Sequence, residues 1–405
     1  MRCTGLDPEA FGRGHWDQQP LLTRCGGAGG SGGPAAGFDD LLSLAGVDEL
    51  LSRRGLRTPF LRVVQDGRLV EPARFTGSGG VGADVADQVL EDRLLTLLIG
   101  AATVVLQGLH RIWPPIIDFA GQLGAELGHP VQVNAYLTPA NAKGFAAHYD
   151  VHDVFVLQVA GRKRWLVHDP VVAAPLRSQP WADHRPAVER AAAGPPCLDT
   201  VLAPGDSLYL PRGYLHSAEA LGDLCLHLTV GVQPITRYAV VEALTQLASD
   251  EPELRASLPV GVDVSDPGSL ADEIATTVRA LVKRLDAAEP AEVAARVRGR
   301  AWSATRPAPL GPVGQLDAIG RLGQESVVRR RASLRYRLRP GPADTEAMLE
   351  LPDRTIRLPA STRPAVEMLL TGGPVAVRDL PGLEPAERLV LVRRLLREAV
   401  AVPVS

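Results

Sequence analysis

The chain has 405 residues, with 43 lysines and arginines against 46 acidic residues, a formal net charge of -3 and 45% hydrophobic residues. A mixed-sign charged content of 22% excludes a disordered polyelectrolyte, and the lack of a basic excess argues against a general nucleic-acid binder. At roughly 100–200 residues per domain, the length predicts two to four domains. Only three of the basic residues are lysines, Lys143, Lys163 and Lys283, and eight of the nine histidines fall between His110 and His227. The first count reads as genomic bias and makes a surviving lysine worth asking about. The second marks one chemically active segment. The cysteines Cys3, Cys25, Cys197 and Cys225 form no CxxC pair, so reduced thiols are expected rather than a zinc site or a disulfide scaffold. Residues 1–13 hold no apolar core of signal-peptide length, and the longest apolar run, 94–106, is well short of the ~20 residues a spanning helix needs. A soluble, cytoplasmic protein with no membrane association is expected.

In chain order, a short apolar and aromatic start (Phe11, Trp16, Leu21, Leu22) leads into the Gly-rich stretch 26–37, which has too little side chain to pack and reads as a flexible loop. Asp39 and Asp40, ahead of Leu41, Leu42, Leu50 and Leu51, predict an acid-rich helix start and a helix. Short β-branched or alternating runs follow at 103–106, 131–136, 154–159, 164–168, 207–210 and 224–230, the pattern of a sandwich or barrel. Ile116, Ile117, Phe119, Ala120, Leu123 and Leu127 keep helical spacing and place a helix among them.

Beyond Pro234 the apolar spacing predicts helices over 238–247 and 270–285, and Pro290 opens another at a first-turn position that tolerates proline. From about Trp302, a strand at 334–338, helices at 364–370 and 385–399, and short strands at 375–377 and 400–402 have the order of a small winged helix. In 321–339 seven arginines face one acid, Glu325, and Arg335, Arg337 and Arg339 alternate along one strand face. A solvated face or an ion network is expected there rather than a nucleic-acid stripe.

The chemistry concentrates in two elements. The first holds His148, Asp150 and His152; the second, 66 residues after Asp150, ends in Pro211-Arg212-Gly213 and His216. On an extended strand His148 and Asp150 project the same way, leaving room for a third ligand from another strand. Two imidazoles and one carboxylate occupy one face of an octahedral ion, the arrangement of non-haem Fe(II) oxygenases. His152 shares the His148 face and is expected to orient a ligand or line the cleft entrance rather than touch the metal. Lys163 follows a tight turn out of the preceding strand. A lysine pointing into a β-core needs an anion, and the far end of a metal-bound dicarboxylic cosubstrate would supply one. Lys143 is expected to cap a loop at the mouth of the site.

These residues resemble the JmjC-type ribosomal oxygenases of the cupin superfamily. The likeness rests on Asn134, Tyr136 and Thr138-Pro139, on Gly144-Phe145, on His148-Tyr149-Asp150, on Asp153 through Gln158, on Gly161 through Trp165, and on Leu210 through Glu219. It is dense over about 100 residues, with weaker support from His15 through Pro20 and from Leu254 through Gly261. The His152-Asp153 pair and the Gly-rich stretch depart from the family pattern.

The resemblance implies an α+β chain: a double-stranded β-helix (cupin/JmjC) core, a helical dimerisation domain and a C-terminal winged-helix-like domain. The expected boundaries are 1–100 for an N-terminal helical and loop extension packing on the core, 101–236 for the catalytic core, 237–301 for the dimerisation domain and 302–405 for the winged helix. It also implies Fe(II) and the cosubstrate 2-oxoglutarate, with His148, Asp150 and His216 as metal ligands, Lys163 on the distal carboxylate, and Asn134, Tyr136 and Thr229 lining the cosubstrate pocket. Dioxygen, a protein substrate, above all a ribosomal protein, and a homodimer complete the expected partners. Two other readings stay open: the same chemistry on a small molecule or peptide natural product, and a non-catalytic metal- or nucleic-acid-binding regulator. The large helical additions argue against the first, the intact triad with Lys163 against the second.

Overall fold

The computed structural model describes residues 1–26, 37–140, 142, 146–343 and 345–404. Most of the Gly-rich stretch, and Lys143 with Gly144 and Phe145, lie outside them. The chain divides into two units, Met1–Pro234 and Ile235–Ser405.

In the first unit, α1 (Pro8–Gly14) starts on Asp7, whose carboxylate accepts the amide hydrogens of Glu9 and Ala10. After β1 (Leu21–Thr23), α2 (Leu44–Arg53) is capped by Ser43. The expected acidic start is therefore corrected: Asp40 sits ahead of the helix and pairs with Arg2 instead. There follow β2 (Leu61–Gln65), β3 (Arg68–Leu69), the short ribbon β4 (Thr76–Gly77) and β5 (Gln88–Val89), and α3 (Glu91–Ile99). Next come β6 (Thr103–Leu106), α4 (Leu109–Ile112), α5 (Pro114–Leu127), β7 (Val131–Thr138), β8 (Asp153–Ala160) and β9 (Lys163–His168). The unit ends with α6 (Arg185–Ala192), β10 (Leu198–Leu202), β11 (Ser207–Leu210), β12 (Leu215–Ala220) and β13 (Cys225–Val232).

Eight strands form one antiparallel sheet, in the order β1-β11-β8-β13-β7-β6-β2-β3, and three form a second, β10-β9-β12. Strand β8 shows why they stack. It is buried along all but its last residue, because successive side chains leave opposite faces and both faces are covered. Phe155, Leu157 and Val159 join the large core with the N-terminal segment and α5, while Val154 and Val156 meet Trp165 and Leu202 of the smaller sheet. At the β8–β9 turn, Gly161 has φ +65, and a Cβ there would lie 2.5 Å from the Leu224 carbonyl, so only glycine fits. The first hundred residues do more than pack on this core. They supply β1 at one edge of the large sheet and β2 and β3 at the other.

In the second unit, α7 (Arg237–Ala248), α8 (Pro267–Asp286), α9 (Pro290–Ser303) and α10 (Pro312–Gly320) precede β14 (Val327–Arg330), β15 (Arg337–Pro340), β16 (Glu346–Glu350) and β17 (Thr355–Pro359). Then come α11 (Arg363–Thr371), β18 (Val375–Ala376), α12 (Pro385–Arg397) and β19 (Ala401–Pro403). Two three-stranded sheets, β18-β14-β19 and β15-β16-β17, share a core with α11 and α12. Glu350 gathers Arg339 at 2.5 Å, Arg298 at 3.3 Å and Arg337 at 4.0 Å, so two of the three alternating arginines belong to an ion network. Among the described residues, no helix is long and apolar enough to cross a membrane.

Candidate metal centre

His148 is not on a strand. It forms an isolated bridge with His216, donating to the His216 carbonyl at 3.2 Å and accepting from the His216 amide at 2.8 Å. The chain then bends at Val151 and His152 before β8 begins at Asp153. This corrects the expected straight strand through 148–152. One donor atom each from His148, Asp150 and His216 lies within 4.8 Å of the others, and His216 Nε2 is 3.6 Å from Asp150 Oδ2.

The ring orientations follow from backbone acceptors. His148 Nδ1 is 2.8 Å from the Ala146 carbonyl and His216 Nδ1 is 3.1 Å from the Tyr214 carbonyl. A carbonyl only accepts, so each Nδ1 carries a hydrogen, which leaves Nε2 as the ring nitrogen available to a metal. Burial, then the neighbouring His148, bring His216 down to about 4, so it is neutral near pH 7. For Asp150, burial works upward but is outweighed by His152, His216 and His148, which hold it below the usual carboxylate range.

A cavity of about 90 Å³ runs inward from these donors between the two sheets. At its inner end Lys163, only 3% exposed, donates to Thr138 Oγ1 at 3.3 Å, and Thr138 meets Thr103 Oγ1 at 3.4 Å. Among the described residues no carboxylate pairs with Lys163. Burial lowers its ammonium to about 8. His227 stacks on Tyr136 at 4.9 Å and meets the Trp165 edge at 5.6 Å. Neither His227 Nδ1 nor Trp165 Nε1 has a hydrogen-bond partner among the described residues, although both are buried. An unmet buried donor costs roughly 1–3 kcal/mol. A cation and two unmet nitrogens in one cavity therefore fit an anionic ligand, and the two-imidazole, one-carboxylate set fits a non-haem iron.

Of the expected residues, the structure brings together His148, Asp150, His216, Lys163, Tyr136 and Thr229 around this cavity. Asn134 is not among the residues lining it; its side-chain oxygen accepts the Gly108 amide at 3.1 Å. His152 lies apart from the donor trio, with Nε2 3.3 Å from Gln132 Nε2 and Nδ1 3.2 Å from the Asp153 carbonyl. Thr138 and Trp165 belong to the motifs, and His227 does not, but none of the three was expected as a site residue, although each is two residues from one on the same strand. The period-2 rule was the signal that would have found them.

Residues 120–240 match the JmjC domain family. The chain is 30% identical over 314 residues to ribosomal oxygenase 1 of Rattus norvegicus, covering 73% of this chain and 49% of that protein. It is 28% identical over 261 residues to the bifunctional lysine-specific demethylase and histidyl-hydroxylase NO66 of Aedes aegypti, covering 63% and 38%. The chain thus spans about half the length, or less, of these curated relatives. The solved structure of the Escherichia coli ribosomal oxygenase YcfD with cobalt and 2-oxoglutarate matches with a TM-score of 0.52 at 17% identity over 99% of both chains. The same protein with cobalt and succinic acid gives 0.53 at 18%, again over 99% of both chains. These are likenesses of fold. The chain carries a JmjC domain at residues 120–240, with a cupin-like fold of mixed helix and sheet. Proteins named ribosomal oxygenases are among its relatives, as the motifs from Asn134 to Glu219 led us to expect.

Proposed function

We propose that this protein is an Fe(II)- and 2-oxoglutarate-dependent oxygenase that hydroxylates a protein side chain, on a ribosomal protein. The observation that carries the reading is one cavity with a His-Asp-His donor trio at its mouth and a buried lysine, unmatched by any described carboxylate, at its inner end. His148, Asp150 and His216 hold the iron, Lys163 and Thr138 receive the distal carboxylate of 2-oxoglutarate, and Tyr136 and Thr229 line its path. Iron and cosubstrate together supply the activation of dioxygen for attack on a C–H bond.

The chain's own share is geometric. The Ala146 and Tyr214 carbonyls hold both Nδ1 atoms and turn both imidazoles toward one point. Lys163 fixes one end of an extended dicarboxylate, so that its other end must meet the donors. Val64, Val154, Val156 and Trp165 wall the cavity against water. A ribosomal substrate rests on the names of the relatives, and the test has two arms. Iron-loaded protein should convert 2-oxoglutarate to succinate, and no turnover overturns the oxygenase. Ribosomal proteins from cells lacking the gene should include one that is lighter by a single oxygen, and unchanged intact masses throughout overturn the substrate.

The segment 237–301 is read as the contact between two copies, with 302–405 as a winged-helix-like appendage. In support, α8 leaves Ile274, Val278 and Val282 exposed at 54, 51 and 49%, four residues apart on one stripe. Light scattering that gives the single-chain mass of 43.1 kDa at micromolar concentration overturns this part.

A further inference from the structure

The three donor residues stand on two short antiparallel segments, 148–153 and 212–216, joined by four hydrogen bonds. Two join His148 and His216 as described above. Gly213 then donates its amide to the Asp150 carbonyl at 3.0 Å, and Arg212 donates its amide to Asp153 Oδ1 at 3.0 Å. The first three are backbone to backbone and indifferent to side-chain identity. Only the fourth depends on a side chain.

Asp153 is an unexpected residue at that point. It is fully buried at the head of a strand that continues Val154-Phe155-Val156-Leu157. Tyr209 adds a hydroxyl to Oδ1 at 3.3 Å, but Oδ2 has no hydrogen-bond partner among the described residues and lies 3.7 Å from the Arg212 guanidinium. That guanidinium is nearer to Asp17, at 2.7 Å. Burial pushes the Asp153 carboxyl up to about 6, the mark of a charge the fold accommodates poorly. An apolar residue of similar volume would suit the strand better. A group that costs stability beside a site is explained more readily by the site than by the fold.

We propose that Asp153 is a positioning residue of the metal centre: by holding the Arg212 amide it fixes the Pro211-Arg212-Gly213 turn and, through it, the separation of His216 from Asp150. The turn leaves the backbone little alternative, since Gly213 has φ +91 and a Cβ there would lie 2.5 Å from the Val172 carbonyl. The inference rests on the metal-centre reading above, and its test keeps the two apart.

Metal-free protein is titrated with Mn(II) without cosubstrate, free Mn(II) is followed by electron paramagnetic resonance, and each protein is also melted. Asp153→Leu, which removes the acceptor, should weaken Mn(II) binding about tenfold or more, the usual cost of losing a group that orients a ligand, while melting within about 5 °C of wild type. Asp153→Asn keeps an acceptor oxygen and should bind within about threefold of wild type. Wild-type affinity in Asp153→Leu overturns the inference, as does an equal loss in Asp153→Asn. A purely structural role would give the reverse signature, a fallen melting temperature with binding intact. If wild type binds Mn(II) no better than His148→Ala, the metal-centre reading itself falls. Should Asp153→Leu not fold, amide exchange in the wild type decides. A strongly protected Arg212 amide in the metal-free protein is the expected result, and exchange at the rate of an open loop overturns the inference.

Discussion

The two ends of the cavity are built by different means. At the inner end the groups sit on regular strands, Thr103 on β6, Tyr136 and Thr138 on β7, Lys163 and Trp165 on β9, His227 and Thr229 on β13. At the mouth, His216 is on β12, but His148 and Asp150 lie on a bent segment before β8, held by the bridge to His216, by the Gly213 amide and by the Ala146 carbonyl. The difference follows from what each end has to hold. Residues two apart on a strand stand about 7 Å apart along one face, a spacing suited to an extended anion. Ligands of one ion must converge to about 2 Å from a single point, and the chain leaves the pleat to bring them there.

If the ends are separable, variants should part them. His148→Ala or Asp150→Ala should abolish Mn(II) binding and lower succinate formation roughly a thousandfold, the several kcal/mol a lost metal is worth. Turnover unchanged in the iron-loaded variants would sink the ligand assignment. Lys163→Met should leave Mn(II) binding intact and raise the 2-oxoglutarate requirement about 10–100-fold, the range for a charge-assisted hydrogen bond. A normal requirement in that variant returns Lys163 to a packing role. A loss of metal binding in it would mean that the two ends form one unit.

The same contrast explains what could be read from the sequence. The strand runs at 103–106 and 207–210 coincide with β6 and β11, because their apolar or β-branched residues declare them. Lys163 was legible because lysine is so scarce here that a buried one stands out. Strands β10 and β12 were not, since Leu198–Leu202 and Leu215–Ala220 carry Asp199, His216, Ser217 and Glu219, polar residues that blur the strand pattern until pairing with β9 overrides them. The donor residues could be named from their spacing, but not the bend that joins them. It is fixed by hydrogen bonds to residues 212–216, about 60 positions away in the chain, which local pattern does not encode. Asn134 shares the Tyr136 face of β7, yet it is not among the residues lining the cavity, and its side-chain oxygen accepts the Gly108 amide instead.

A pH series sharpens the inner end. Burial holds Lys163 near 8 in the folded chain, against an ordinary value of 10.5. Below 8 both folded and unfolded chains carry the proton, and the burial penalty is fully present. Between 8 and 10.5 the unfolded chain holds a proton that the folded one has shed, so the stability of the ligand-free protein should rise across that window, by roughly 3 kcal/mol at most. Lys163→Met should lack this rise in denaturant titrations from pH 7 to 10. The 2-oxoglutarate affinity should move the other way, weakening as pH passes 8, because the neutral amine no longer matches the anion. A parallel response in wild type and Lys163→Met would show that the titrating group is elsewhere.

The second unit reverses the arrangement and gives the smallest effect. In the cavity a cation has no carboxylate partner among the described residues; at Glu350 one acid receives three arginines. The hydrogen bond from Arg339, with Arg298 and Arg337 nearby, holds the Glu350 carboxyl below the ordinary glutamate value. Its contribution is therefore present above the unfolded value and is lost as pH falls through the folded one. Because the pairs are partly solvated, Glu350→Gln should cost only about 1 kcal/mol, a fall of roughly 2–4 °C in melting temperature at pH 7 that closes on acidification. Calorimetry from pH 7 to 3 measures both. No fall at pH 7 would mean that Arg337 and Arg339 do not depend on Glu350, and would reopen the reading of that strand face as a surface for an anionic partner.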